Sequence, residues 1–469
     1  MDSISDQQIF LSYYGDDFTG STDVMESLSM NGLQAALFLQ PPTLQEVQEF
    51  RLKNKAFQEQ RKLKAFGVAG VSRSMSTEQM DQFLPDIFSK ISKIPSRYFH
   101  YKICSTFDSS PEVGNIGHAV ELALPHFPSP YIPIVVGAPG LKRYSVFGHL
   151  FATADGITYR IDRHPTMARH PVTPMTESDL RLHLGLQTKR KIHLLDVLEL
   201  DSLREDAACK LKNFYSSNTI DYLLFDVINQ EHLIKIGKIL YQNIEEKTQI
   251  IVGSSGVEYA LAEYLQFKNN LQKPLEITTA GEADNLIIMA GSCAPGTQKQ
   301  IEWVINKGFE GIRINTELLV DPEKQGAEMD RVIESANKIL PFHNLVLYSA
   351  LGPYDSMIGI TKQKIKDNFS ENGVPGDYLA KLQGIILKRI LEKYHKARVV
   401  VAGGDTSGQA ALALEIYALE ILSPIAPGAP LCLAHSKNPL FNGLQIALKG
   451  GQNGNEKYFE SILLGHQLN

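Results

Sequence analysis

The chain has 469 residues, enough for two or three domains at roughly 100–200 residues each. Hydrophobic residues make up 43% and charged residues 21%, ordinary globular usage that permits a large core. A formal net charge of -6 and the lack of any long basic run exclude nucleic acid as the main partner, since phosphate-backbone binding needs clustered Lys and Arg.

Short apolar, β-branched runs alternate with longer helical patterns along the whole chain. In order, strands are expected at Ile9–Tyr14, Ala35–Leu39, Ala65–Val71, Tyr98–Ile103, Ile132–Val136, Ile192–Val197, Tyr222–Val227 and Gln249–Val252. A second series follows at Leu286–Ala290, Gly311–Ile314, Leu345–Ser349, Val399–Ala402, Leu431–Ala434 and Leu444–Leu448. Strands alternating with helices imply parallel sheets with helices on both faces, so the expected class is α/β. The polar stretch Phe267–Asp284 separates a helix from a new strand. The expected domains are therefore 1–270 and 271–469, each a largely parallel sheet flanked by helices.

Four cysteines (Cys104, Cys209, Cys293, Cys432) are widely spaced with no CxxC pair, so neither a zinc site nor a disulfide framework is indicated. Met1–Gln8 is polar and acidic, unlike a signal peptide. No apolar run reaches the roughly 18 residues needed to cross a bilayer. The expectation is a reduced, soluble, cytoplasmic protein without a membrane partner.

In open parallel sheets, ligands gather where strands end. The first strand runs into Gly15-Asp16-Asp17-Phe18-Thr19-Gly20, then Ser21-Thr22-Asp23 and a helical pattern. Two adjacent carboxylates there suit hydroxyl recognition, proton abstraction or magnesium ligation. The plainer alternative is that one caps the helix and the other is solvated. An aspartate-nucleophile phosphatase is excluded: counting back from Thr19 puts Gly15 where the nucleophile must stand. Ser72-Arg73-Ser74 follows the third strand, and an Arg there can clamp a carboxylate through two parallel hydrogen bonds, or lie solvated on the surface. Lys102-Ile103-Cys104-Ser105-Thr106-Phe107-Asp108, leading to Gly114-Asn115, offers a cation, two hydroxyls and an aspartate. Cys104 reads as a small packed residue of a strand rather than a nucleophile.

In the second half, Gly291-Ser292-Cys293-Ala294-Pro295-Gly296-Thr297 leads into a helix and offers backbone N–H groups to phosphate oxygens. Gly403-Gly404-Asp405-Thr406-Ser407-Gly408 precedes a helix expected at Ala410–Leu422. There Asp405 is suited to orient magnesium or a ribose, unless the segment is only a capped turn. Lys449-Gly450-Gly451-Gln452-Asn453-Gly454 makes a third glycine-rich strand end in the same half. Three such ends point to a phosphate-binding crevice. No Walker motif, Gly-x-Ser-x-Gly elbow or zinc helix occurs. His164 and His170 read as surface histidines of a loop.

These motifs, in this order, resemble the four-carbon acid sugar kinase family, which includes 3-oxo-tetronate, threonate and erythronate kinases. The likeness rests on Asp16-Asp17-Phe18-Thr19-Gly20, Lys102-Ile103-Cys104-Ser105-Thr106, Gly291-Ser292-Cys293, Gly403-Gly404-Asp405-Thr406-Ser407-Gly408, Pro427-Gly428-Ala429-Pro430 and Lys449-Gly450. It covers nearly the whole chain. It implies an N-terminal domain holding a sugar acid, a C-terminal domain holding ATP, and an active site in the cleft between them. On that basis Asp16 and Asp17 are the candidate catalytic carboxylates. Thr19, Ser72, Arg73, Lys102, Ser105, Thr106 and Asp108 are the candidate substrate-binding residues. Gly291, Ser292, Gly403, Gly404, Asp405, Thr406, Gly450 and Gly451 are the candidate nucleotide-binding residues, with Asp405 also a metal ligand. ATP and Mg2+ are the implied cofactors, and a homodimer is left open. The chain departs from the family pattern at Cys104, usually Asp; near Asp108, where an Arg is usual and Ser109–Val113 is extra; at Ala294, usually Ser; and in the last loop, which lacks an aromatic residue before Gly454. A non-catalytic sugar-acid sensor and a sugar-acid lyase or dehydrogenase are the alternatives, though no Gly-x-Gly-x-x-Gly follows an early strand.

Overall fold

The computed structural model describes residues 9–54, 62–154, 156–170, 172–203, 221–242, 247–268, 279–369 and 377–468. The chain divides into two compact units, Met1–Leu52 with Gln60–Leu275, and Lys53–Glu59 with Glu276–Asn469. The boundary expected at 270/271 falls within 269–278, outside the described residues.

The first unit carries β1 (Ile9–Gly15), β2 (Ala35–Phe38), β3 (Ala65–Ala69), β4 (Ser96–Lys102), β5 (Ile132–Val135), β6 (Arg143–Val146), β7 (His149–Ala154), β8 (Ile157–Arg160), β9 (Ile192–Leu195), β10 (Tyr222–Phe225) and β11 (Gln249–Gly253). Its main sheet runs β2-β3-β1-β4-β11-β5-β10-β9, with every pair parallel. Every residue of β1 is buried, as a strand covered on both faces requires. On one face Phe88, from the helix Thr77–Ser92, meets Tyr14 edge-on at 5.7 Å and Phe99 at 5.5 Å. The helix Phe18–Met30 lays Val24, Met25 and Leu28 inward, the spacing of one helical face. The register sets four strand ends side by side: Gly15 stands opposite Ala69 and Lys102, and Lys102 opposite Gly253. Whatever follows each strand therefore meets in one place.

β6, β7 and β8 form a separate antiparallel sheet for which the sequence reading has no counterpart. Its first hairpin turns at Phe147 and Gly148, with φ 52° and 82°. Such a turn ordinarily carries Asn-Gly or Gly-Gly, so Phe147 disguises it. What holds it is distant in sequence: the buried carboxylate of Asp226 accepts the Phe147 N–H at 2.5 Å and the Gly148 N–H at 3.0 Å. Asp226→Ala orphans both donors and should cost about 1–3 kcal/mol. A urea midpoint left unchanged would show that the hairpin holds its turn alone.

The second unit carries β12 (Leu286–Ala290), β13 (Glu310–Arg313), β14 (Leu345–Tyr348), β15 (Arg398–Ala402), β16 (Ile416–Ser423), β17 (Leu431–Ser436) and β18 (Gln445–Lys449), in the order β13-β14-β12-β15-β18-β17-β16. Pairing is parallel from β13 to β18, and β17 runs antiparallel to both its neighbours. The helix expected at Ala410–Leu422 is corrected: the helix spans Gly404–Ala413, Glu415 takes φ 55°, and Ile416–Ser423 is a strand. Pairing with β17 overrides the local helical pattern there. Lys53 and Asn54 join this unit because their backbone N–H groups donate to buried Glu420 of β16, at 2.7 and 3.3 Å. Ile301 and Val304, with Tyr458, Phe459 and Ile462, pack on Leu286, Ile288 and Val400 to form the core. Again the register aligns strand ends: Ala290 opposite Tyr348 and Ala402, and Ala402 opposite Lys449.

The remaining expected strands fall within two residues of the observed ends. Among the described residues no helix is long and apolar enough to cross a membrane.

Candidate functional site

At the end of β1, Asp17 caps the helix Phe18–Met30, its Oδ1 accepting the Gly20 N–H at 2.7 Å. Arg73, from the short turn after β3, bridges both carboxylates. Its Nη2 lies 2.7 Å from Asp16 Oδ1 and 2.8 Å from Asp17 Oδ1, and Nη1 donates to Asp17 Oδ2 at 2.9 Å. Asp16 is nearly sealed, with a side-chain exposure of 4%, whereas Asp17 keeps 28%. Burial raises the Asp16 pKa above its ordinary value, with Arg73 opposing and Asp17 adding. Burial also works against the Arg73 charge, but the carboxylates outweigh it, Asp16 foremost, and its pKa rises.

Lys102 ends β4 with its Nζ buried, donating to the Ile103 carbonyl at 3.0 Å and standing 3.8 Å from Asp23. A Cβ on Gly20 would lie 2.6 Å from Asp17 Oδ1 and 3.2 Å from Lys102 Nζ, so glycine lets the two approach. Asp16, Asp17, Arg73 and Lys102 are thus gathered around one strand-end row. The other candidates divide. Thr106 donates to Asp108 Oδ1 at 2.5 Å and contacts Cys104 Sγ at 3.0 Å, a knot of its own in the turn after β4. Cys104 lies past the strand rather than in it, and burial pushes its thiol up to about 11, with Asp108 adding to the effect. Such a thiol is a poor nucleophile at neutral pH. Ser72 is wholly buried with its hydroxyl 3.1 Å from that of Tyr101, turned into the core. Thr19 and Ser105 are half-buried. His164, expected at the surface, is buried, and its Nδ1 accepts the N–H groups of Thr166 and Met167 at 3.3 Å each. His170 accepts the Thr173 N–H at 3.0 Å. Both histidines shape their own loop.

In the second unit the three glycine-rich strand ends touch. A Cβ on Gly451 would collide with Ser292, one on Gly291 would collide with Thr406, and one on Gly403 would sit 3.2 Å from the Ser292 N. Gly403 takes φ 129°, a conformation closed to other residues. Two helices start here, Pro295–Asn306 and Gly404–Ala413, and neither has a side-chain cap. Their first-turn N–H groups lack intrahelical partners and carry the positive end of the helix dipole, a ready anion site. Thr406 and Ser407 fall inside the helix, their hydroxyls donating to Gln383 Oε1 at 3.1 Å and to the Val401 carbonyl at 3.2 Å. Gly404 and Asp405 are exposed at its first turn, and Gly450 and Gly451 are half-buried. A cleft of about 530 Å3 lined by Gly296, Lys299, Gly454, Asn455, Glu456 and Lys457 adjoins these loops through Gly296.

Residues 11–261 match a family model described as a sugar-binding N-terminal domain, and residues 287–459 one described as a nucleotide-binding C-terminal domain. The chain belongs to the four-carbon acid sugar kinase family. It is 39% identical over 462 residues to a 3-oxo-isoapionate kinase of Paraburkholderia graminis, spanning 97% of this chain and 94% of that relative. It is 27% identical over 458 residues to a 3-oxo-tetronate kinase of Pectobacterium atrosepticum, 96% of this chain and 98% of the other. In fold it is similar to a structure described as a putative tRNA synthase from Salmonella typhimurium LT2, with TM-score 0.75, 21% identity and coverage of 97% and 98%. The kinase relatives make this chain an ATP-dependent sugar-acid kinase, and the sensor, lyase and dehydrogenase alternatives find no support.

The sequence reading missed several groups of this sugar-acid kinase. Asp23, six residues after Asp17, accepts the Ser255 hydroxyl and sits beside Lys102, and burial raises its pKa against the pull of that lysine. Ser255 belongs to Gly253-Ser254-Ser255-Gly256, the end of β11. That strand was expected, and the strand-end rule applied to it would have found the serine. Arg143 of β6 brings a cation toward the altered middle motif: burial lowers its pKa, opposed by Cys104 and Asp108. Only the unforeseen hairpin sheet puts it there. Lys449 is the last residue of β18 rather than part of the loop.

Proposed function

We propose that the first unit binds a small 3-oxo sugar acid and the second binds ATP, and that Asp17 takes the proton of the hydroxyl that is phosphorylated. The acceptor oxygen attacks the γ-phosphorus, the bond to the β–γ bridging oxygen breaks, and ADP leaves. The proton passes to the Asp17 carboxylate. Asp17 is favoured over Asp16 because its side chain is the more exposed of the pair, within reach of a ligand. Asp16 keeps Arg73 oriented, and Lys102 answers the charge of the bound anion. The 3-oxo class is the feature common to the names of the kinases compared above.

Phosphoryl transfer is mostly positioning and charge neutralisation. In the second unit, the observation that carries this reading is the meeting of three glycine loops at two helix starts without side-chain caps. Among the described residues no cluster of three His, Cys, Asp or Glu side chains fits a metal held by protein alone. Mg2+ bound chiefly to phosphates needs only one or two carboxylates. Asp405 fits that need, being exposed at a helix start and without a side-chain hydrogen bond or ion pair among the described residues. The ion would supply charge neutralisation on the phosphates.

Incubating the enzyme with ATP, magnesium and a panel of 3-oxo-tetronates, 3-oxo-isoapionate and simple aldonates should release ADP and yield a phosphate ester with a 3-oxo acid. ADP release that is indifferent to the acid, or absent with all of them, would sink the reading.

A further inference from the structure

Lys449 is buried, with 1% of its surface exposed, yet among the described residues no acidic side chain contributes to its electrostatics. Its Nζ has two long contacts, 3.4 Å to Thr297 Oγ1 and 3.5 Å to the Gly451 carbonyl. Thr297 already donates its own hydroxyl to that carbonyl at 2.9 Å. The rings of Tyr458 and Phe459 stand 5.8 and 5.9 Å away, a weak cation–π environment. Among the described residues, no carboxylate, histidine or second cation contributes to its electrostatics; desolvation alone lowers its pKa, to about 7. A buried ammonium without a counter-ion is costly, so a lysine in such a place needs a reason.

The reason lies in its position. The Lys449 carbonyl accepts the Gly403 N–H at 2.9 Å, its own peptide leads into Gly450, and its Nζ lies beside the carbonyl of Gly451 and the first turn of the helix Pro295–Asn306. Its ammonium is thus beside Gly451 and the helix start at Pro295, and its backbone is bonded to the Gly403 loop. We propose that Lys449 is a positioning residue of the nucleotide site, whose positive charge beneath the glycine cradle is completed by the phosphates of ATP. In a poorly hydrated site a charge acts over several ångströms without contact. The polyphosphate then supplies the missing counter-charge, and the lysine takes up a proton as ATP binds. This rests on the second unit's being the ATP site.

The test is calorimetry of magnesium–ATP binding without sugar acid, at pH 8 in two buffers of different ionisation enthalpy. Wild type should take up on the order of one proton, since Lys449 is mostly neutral beforehand. Lys449→Met should lose that uptake and bind ATP about 10- to 100-fold more weakly, the range of a charge-assisted interaction. Lys449→Arg should keep most of the affinity without the uptake, because guanidinium stays charged. Equal uptake in wild type and Lys449→Arg would overturn the inference, as would equal ATP affinity in wild type and Lys449→Met. Should Lys449→Met fail to fold, the wild type and Lys449→Arg decide by themselves. A wild type that binds no ATP would instead overturn the ATP-site reading beneath it.

Discussion

Asp17→Asn should lower kcat by about 10²- to 10⁴-fold, the contribution of a positioned general base. The change is conservative where it needs to be. Asparagine is as good a helix cap as aspartate, so the bond to the Gly20 N–H survives through its side-chain oxygen. Asp16 still holds Arg73 through Nη2 at 2.7 Å. What disappears is the negative charge that accepts the proton. Binding of ATP should therefore be unchanged, and binding of the sugar acid changed by a few-fold at most. ADP release at saturating substrates gives kcat, and calorimetry gives the two affinities. A variant within tenfold of wild type would remove Asp17 from proton transfer and leave Asp23, whose raised pKa suits a base, as the next carboxylate to examine.

Much of this site could be read from residues alone because a parallel sheet makes the reading simple. Its strands are apolar throughout, so their ends stand out, and β1, β3 and β4 deliver Asp16, Arg73 and Lys102 to neighbouring points. The same logic found Gly291, Gly403 and Gly450 after β12, β15 and β18. What stayed hidden depends on contacts between distant residues. The turn at Phe147 exists because Asp226 accepts its N–H from 79 positions away. Ile416–Ser423 has the composition of either a helix or a strand, and β17 decides. Lys449 looks like a loop cation until its burial is known, and burial is the property that makes it unusual. Thr406, a nucleotide-binding candidate, lies with Ser407 inside the helix, and their hydroxyls bond to Gln383 and Val401.

Arg73→Met should destabilise the first unit by about 3 kcal/mol at neutral pH, at the lower end for breaking a buried ion pair because the Arg73 side chain keeps 24% exposure. It should also abolish turnover, since Asp17 loses the guanidinium that fixes it. The pH dependence separates this from simple loss of packing. Burial already holds the Asp16 pKa above its ordinary value, with Arg73 as the main opposing influence. Removing Arg73 raises it further. A carboxyl with a raised folded pKa binds more protons folded than unfolded, so its stability cost grows as pH climbs from the unfolded value through the folded one. The variant's wider window makes its deficit largest at neutral pH and smaller near pH 4.5, closer to the range in which a carboxyl with a raised pKa takes up its proton and needs a cation less. Urea unfolding followed by circular dichroism at both pH values measures the difference. A deficit equal at the two would mean that the methionine fails for lack of fit, and that Arg73 contributes shape rather than charge.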